Sequence, residues 1–194
     1  MAQYTPSLEQ FKEIGLVNIL QAYVLCPNDN IRTMTKLALS HMVPILGEKD
    51  LPLLKLTEKE ASCFCETLAT ATTSDEHTGK IFDIELSALD LLNAMLGLVA
   101  YPSNQELMLR GDVNIVDFIA VLLATFREPE IKAAALLLWH LFTDPCIRMQ
   151  ILTSKSFIID QIHELHLNPD EEIKRLSSCI LEAAECTEMK GMIL

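Results

Sequence analysis

Little in this sequence is built to grip a small ligand or a charged polymer. Only 6 of the 194 residues are glycine, and they are dispersed, so no glycine-rich loop is present to cradle a phosphate. There is no Gly-x-Ser-x-Gly elbow, no His-Glu-x-x-His pair and no clustered pair of carboxylates, which leaves hydrolase and metalloprotease chemistry without a local motif. No run of basic residues occurs. The net charge of −12 opposes binding to nucleic acid or anionic lipid, both of which need clustered Lys and Arg. A basic partner surface is the milder inference.

Long apolar runs are also missing. The stretch Leu91 to Asn104 carries no charge, but it contains Gly97 and Pro102 and falls short of the roughly 18 residues that a spanning helix needs. The first ten residues lack a basic region followed by an apolar core, so no signal peptide is expected. No Asn-x-Ser/Thr acceptor occurs. The expected compartment is intracellular, cytoplasmic or nuclear, with reduced thiols. Cys26, Cys63, Cys65, Cys146, Cys179 and Cys186 are expected to act as small buried hydrophobes.

What is present is helical signal. Half the residues are hydrophobic, and no segment reads as a strand. Ser7-Leu-Glu-Gln10 and Thr57-Glu-Lys-Glu60 are capping boxes that open helices. Helices are expected over Leu16–Leu25, Ile31–Val43 (with Asn30 as cap), Thr57–Thr72 and Phe82–Val99. Thr73–Gly79 is the clearest loop. Asn104–Arg110, Asn114–Phe126 and Pro129–Phe142 follow, then Ile147–Thr153, Ser156–Leu165 and Asp170–Ala184. Arg110-Gly-Asp112 reads as a turn between two helices. The Pro129 helix suits its position: proline tolerates the first turn, Glu130 sits at the positive end of the dipole, and three alanines follow.

These helices repeat. Ile31, Ile84, Ile131 and Ile173 are taken as equivalent, 53, 47 and 42 residues apart. Four residues on stand the small Thr35, Ala88, Ala135 and Ser177. Eight on stand Leu39, Leu92, Trp139 and Leu181, and eleven on Met42, Met95, Phe142 and Ala184. Small residues let a neighbouring helix approach, and large ones fill the layer between units. A unit that cannot bury its faces alone must stack. Trp139 therefore falls at a core position.

At this point the chain resembles the armadillo repeat family, with HEAT repeats second. Such a unit has two shorter helices and a long third one in about 42 residues. The sets beginning at Asn104 and Ile147 match that order best. The resemblance implies an all-α, right-handed α-solenoid of about four armadillo-like repeats. It forms a single domain, 1–194, with units 7–44, 45–100, 101–144 and 145–186 and a tail 187–194. In the family the third helices line a concave groove for extended peptides or partner helices. Importin-α-like members hold the partner backbone with Trp and Asn ladders. The matching positions here are Leu37, Asp90, Leu137 and Cys179, then His41, Ala94, Leu141 and Ala183, so the ladder is absent and nuclear localisation signals are not the expected ligand.

Arg32, Lys132, His140 and Lys174 are the candidate partner-binding residues, at the less apolar edge of the third helices; Glu85 takes the equivalent place in the second unit. Metal, cofactor and catalytic residues are not assigned. Cys63-x-Cys65 points its thiols to different sides of a helix, and His163-x-x-His166 lacks a third ligand. Asp83, Glu85 and Asp90 are expected on one helix as capping and surface groups, and nothing pairs Ser with His. The expected function is a non-catalytic scaffold for a protein or peptide partner. The alternative is a regulatory or oligomerisation lobe that forms homo-oligomers through the chain ends, where the first helix and Met192-Ile-Leu194 are apolar. An all-helical enzyme is a third reading.

Overall fold

A computed structural model describes residues 5–110, 114–125 and 127–191, with side chains from 8 to 185. The tail Met192–Leu194, the Gly111-Asp112 turn and Phe126 lie outside the described residues, as does the Cys186 side chain. The chain begins with α1 (Thr5–Glu13), two residues before the expected capping box. α2 (Leu16–Gln21) and α3 (Asp29–Ser40) follow. Asn28, not Asn30, caps α3: its side-chain oxygen accepts from the N–H groups of Asn30 and Ile31 at 2.9 and 3.2 Å. Two 3-10 segments, Val43–Ile45 and Glu48–Leu54, lead to α4 (Glu58–Thr73). Thr57 and Glu60 cap α4 reciprocally, as the sequence pattern predicts.

Next comes a departure from the expected all-helical order. Thr78–Ile81 (β1) and Ile84–Ser87 (β2) pair antiparallel, with Ile81 opposite Ile84 and Thr78 opposite Ser87. The helix expected from Phe82 begins only at Ala88, as α5 (Ala88–Leu98), capped by Ser87 and Asp90. Asp83 therefore lies in the hairpin turn and Glu85 on β2, not on one helix with Asp90. The brace is steric. β1 lies along α4, and a Cβ on Gly79 would stand 2.4 Å from the Thr67 carbonyl oxygen. Only glycine permits that approach.

The remaining chain follows the three-helix order twice. α6 (Pro102–Arg110), α7 (Ile115–Leu123) and α8 (Glu128–Phe142) form one set. α9 (Pro145–Ser154), α10 (Phe157–Leu165) and α11 (Glu171–Gly191) form the next. The long helices stack in order, α3 on α5, α5 on α8 and α8 on α11. Behind them α4 packs on α7 and α7 on α10, and each of these also packs on the long helix of its own set. This two-layer stack of neighbours is an α-solenoid, interrupted among the described residues by the 3-10 segments and the short hairpin.

The core runs continuously between the layers. Thr35, Ala88, Ala135 and Ser177 are all buried, as are Met42, Met95, Phe142 and Ala184. The equivalence fails at its starting position in two units. Ile84 is 47% exposed on a strand and Ile31 is 41% exposed, while Ile131 and Ile173 are buried. Trp139 is half-buried against the core rather than inside it. The cysteines also depart from expectation. Cys65 is buried, Cys26, Cys63 and Cys179 are partly exposed, and Cys146 is exposed. Burial pushes the Cys65 thiol up to about 12.

Candidate interaction surface

Each long helix turns one stripe outward. On α8 it runs through Lys132, Leu136, Trp139 with His140, and Thr143, a helical spacing of four, three to four, and three to four. On α5 it runs through Leu89, Asn93 and Leu96, and on α11 through Lys174, Ser178, Leu181 with Glu182, and Glu185. Leu89, Leu96, Leu136, Trp139 and Leu181 are half-buried, their inner sides packed on the core. The stripes therefore present partly covered apolar side chains among the carboxylates of Asp90, Glu128, Glu182 and Glu185.

The four candidate binding residues are spread over α3, α8 and α11, and three of them already have partners. Arg32 donates to the carbonyl oxygens of Cys26 and Pro27 at 2.8 and 3.2 Å, pairs with Asp29, and stands 3.5 Å from Glu60. It braces the turn before α3. Lys132 reaches Asp170 at 2.8 Å, Glu128 at 3.1 Å and Glu172 at 3.6 Å, tying α8 to the start of α11. Hydrogen bonds to Asp170 and Glu128 raise its pKa, and the bond from Lys132 holds Asp170 well below the usual carboxylate range. Lys174 pairs with Glu171 at 2.9 Å. His140 is exposed beside Trp139, and partial burial of its ring lowers its pKa, favouring the neutral imidazole.

Several polar groups that matter were invisible one residue at a time. Lys36 and Glu60 form a buried ion pair of 2.6 Å between α3 and α4. Burial pushes the Glu60 carboxyl up, but the Lys36 ammonium and the Thr57 N–H outweigh it and hold the group below its usual value. Asn104 is fully buried and clamps three backbone positions. It accepts from Leu56 N–H and donates to the carbonyls of Leu54 and Leu98, all within 2.8–2.9 Å. His77 Nδ1, just before the hairpin, lies 3.3 Å from Glu130 Oε2 in the first turn of α8. A lysine inside the apolar run of α3 was the one available signal; the carboxylate it needs is 24 residues away.

A Ser–His contact, not expected from the sequence, joins Ser178 Oγ to His166 Nδ1 at 3.1 Å. The same hydroxyl also donates to the Lys174 carbonyl at 2.9 Å. No carboxylate orients the ring among the described residues, and a nucleophile–base pair needs that third group. Cys63 and Cys65 differ in burial, with Cys65 turned into the core. Among the described residues no three of His, Cys, Asp and Glu gather into a metal-binding group, and no helix is long and apolar enough to cross a membrane.

A second feature lies at the other end of the stack. Leu20, Asn30, Ile31, Met34 and Thr35 line an open groove of about 360 Å³ between α2 and α3. Six large apolar residues of this first unit are exposed, Leu25 the most at 87%.

No protein-family model matches this chain, and no curated protein sequence matches it. Among solved structures it is similar to a designed armadillo repeat protein, with a TM-score of 0.51 and 10% sequence identity over 91% of this chain and 85% of that one. At that identity the likeness concerns architecture alone. Together with the stacked layers, it places the chain among α-solenoids of about four armadillo-like repeats.

Proposed function

We propose that the chain is a non-catalytic interaction scaffold that holds a partner peptide or helix on the outward face of its long helices, centred on Leu136, Trp139 and His140. The observation that carries this reading is Trp139. It is the only tryptophan, and it lies half-exposed on a helix whose other large residues are mostly buried. Tryptophan is the residue most enriched among binding anchors. In armadillo proteins this layer forms the inner surface of the curve. The surrounding carboxylates favour a partner with apolar residues flanked by basic ones. His140 contacts that partner directly. Lys132 and Lys174 border the site, and Arg32 supports it from α3. The compartment proposed is cytoplasmic or nuclear.

Selection from a displayed peptide library tests the idea. Apolar–basic peptides should be enriched by the native chain. Trp139→Ala should weaken the best of them by roughly 30-fold or more, the scale of an interface anchor. No enrichment above background, or equal binding by the variant, would remove this face from consideration. A second reading, an assembly lobe, is favoured by the exposed apolar side chains of the first unit, Ile14 and Leu25 above all.

A further inference from the structure

The hairpin that interrupts the stack has one free edge. β1 lies along α4, and the Ser74 hydroxyl bonds to both backbone groups of Thr78, at 2.9 and 3.0 Å. β2 pairs with β1 alone. The register fixes which backbone groups of β2 are spare. Ile81 and Ile84 flank a two-residue turn and so exchange hydrogen bonds, as do Gly79 and Leu86. Lys80 and Glu85, between them, are a pair without bonds, so the N–H and C=O of Glu85 point away from β1. No other backbone group among the described residues bonds to them, and Glu85 is exposed. No proline, lysine or bulge guards this edge. Two large apolar side chains beside it face solvent, Phe82 at 41% and Ile84 at 47%. Phe82 does so from a φ of 56°, a backbone state that is costly for a bulky residue.

Register and charge narrow the occupant. Cross-strand partners share a face of the sheet. Gly79, Ile81, Ile84 and Leu86 therefore share the face on which Gly79 meets α4, and Lys80 and Glu85 lie on the other. A third strand on β2 continues that alternation, with an apolar residue beside Ile84 and a residue of opposite charge beside Glu85. Asp83 and Glu85 are both exposed. Glu85 accepts from the Thr78 hydroxyl at 2.9 Å, and neither carboxylate forms an ion pair among the described residues. A second copy of this chain fits badly. Two β2 edges that meet antiparallel through the Glu85 backbone groups set the two Glu85 carboxylates opposite each other, on chains that each carry a net charge of −12. A basic segment meets no such repulsion.

We infer that β2 takes up an extended partner segment as a third, antiparallel strand, one in which basic and apolar residues alternate, the basic ones beside Glu85 and the apolar ones beside Ile84. The residues are not those of the Trp139 stripe, and the inference does not rest on that reading. The probe is a fluorescent peptide of alternating lysine and valine, titrated into the full chain and followed by anisotropy. It should bind, and its glutamate–valine counterpart should not. Glu85→Lys should weaken binding by about 10-fold or more, because like charges then face each other. The charge-matched Glu164→Lys, at an exposed position of α10, should leave it unchanged. Backbone methylation of the peptide tests the main-chain bonds on the native chain itself. In an antiparallel pair the lysine opposite Glu85 supplies the N–H, so methyl groups on the lysine nitrogens should abolish binding and methyl groups on the valine nitrogens should not. The Glu85 amide should exchange more slowly when the peptide is bound. A native chain that does not bind, a Glu85→Lys protein that binds as the native one does, or a lysine-methylated peptide that binds as well as the valine-methylated one overturns the proposal. Binding lost in Trp139→Ala and kept in Glu85→Lys also overturns it, and assigns the peptide to the long-helix stripe instead.

Discussion

Gly97 sits where α5 crosses α3, and a Cβ there would lie 2.0 Å from the Ser40 carbonyl oxygen. Backbone, not a flexible side chain, would have to move. Gly97→Ala should therefore destabilise by the upper end of the roughly 1–3 kcal/mol typical of overpacking, read as a fall in the urea midpoint with an unchanged slope. Ala135 is fully buried at the close-contact position of α8, the place that Ala88 takes in α5. Ala135→Leu should cost about 1–3 kcal/mol, and an unchanged melting temperature would refute the repeat register at that helix. The Lys36–Glu60 pair raises a different issue. Glu60→Gln leaves a buried ammonium without its counter-charge, which costs about 3–5 kcal/mol when a buried pair is broken. The folded carboxyl titrates below its usual value, so its stabilisation is present above the carboxylate range and is lost as pH falls through it. In Glu60→Gln that acid arm of the stability curve should be flatter, by equilibrium unfolding from neutral pH downward.

At the scale of elements, the hairpin shows where sequence reading and structure part. Its strands are four residues each, too short for alternation to stand out from a helical run, and its two-residue turn contains Phe82 and Asp83 rather than glycine or asparagine. Phe82 adopts a φ of 56°, unusual for a bulky residue. What holds the strands is the surface of α4 under Gly79, together with the Ser74 hydroxyl, which accepts from Thr78 N–H at 3.0 Å and donates to the Thr78 carbonyl at 2.9 Å. Gly79→Ala should lift β1 from Thr67. Amide exchange should then accelerate over 78–87 while α8 keeps its protection; uniform acceleration would mean that the hairpin and the solenoid unfold together. The last two three-helix sets were legible because five of their six helices open on proline, asparagine or aspartate and the long third ones are periodic. The candidate site was legible only as stripes on those helices. Arg32, Lys132 and Lys174 could be seen as cations with an acid three or four residues away, but the contacts that tie one element to another, as with Lys132 and Asp170, 38 residues apart, could not.

For the whole molecule, stability should fall on mild acidification before the carboxylates titrate. Burial lowers the pKa of His41, partly countered by Asp90, and burial lowers that of His140. A histidine whose folded pKa is depressed contributes stability above its ordinary value of 6.5, and that contribution is lost as pH falls toward the folded value. Between roughly pH 7 and 5 the native chain should lose stability, and His140→Gln should lose less, in paired thermal melts. A variant that loses as much as the native chain would show that His140 does not titrate differently on folding. Any self-association must be held constant in this comparison, because it makes melting temperature depend on concentration.

The sequence by itself determined the helical composition, the stacking of units and the small and large positions that pack them, because apolar periodicity and capping chemistry act over a few residues. The acidic balance and the missing tryptophan–asparagine ladder could also be read directly. Only the tertiary structure decided the rest. It set a hairpin against α4, joined Lys36 to Glu60 and Lys132 to Asp170, and turned Trp139 half outward. Each of these depends on groups far apart along the chain, whose meeting is a property of the stack and not of any segment in it.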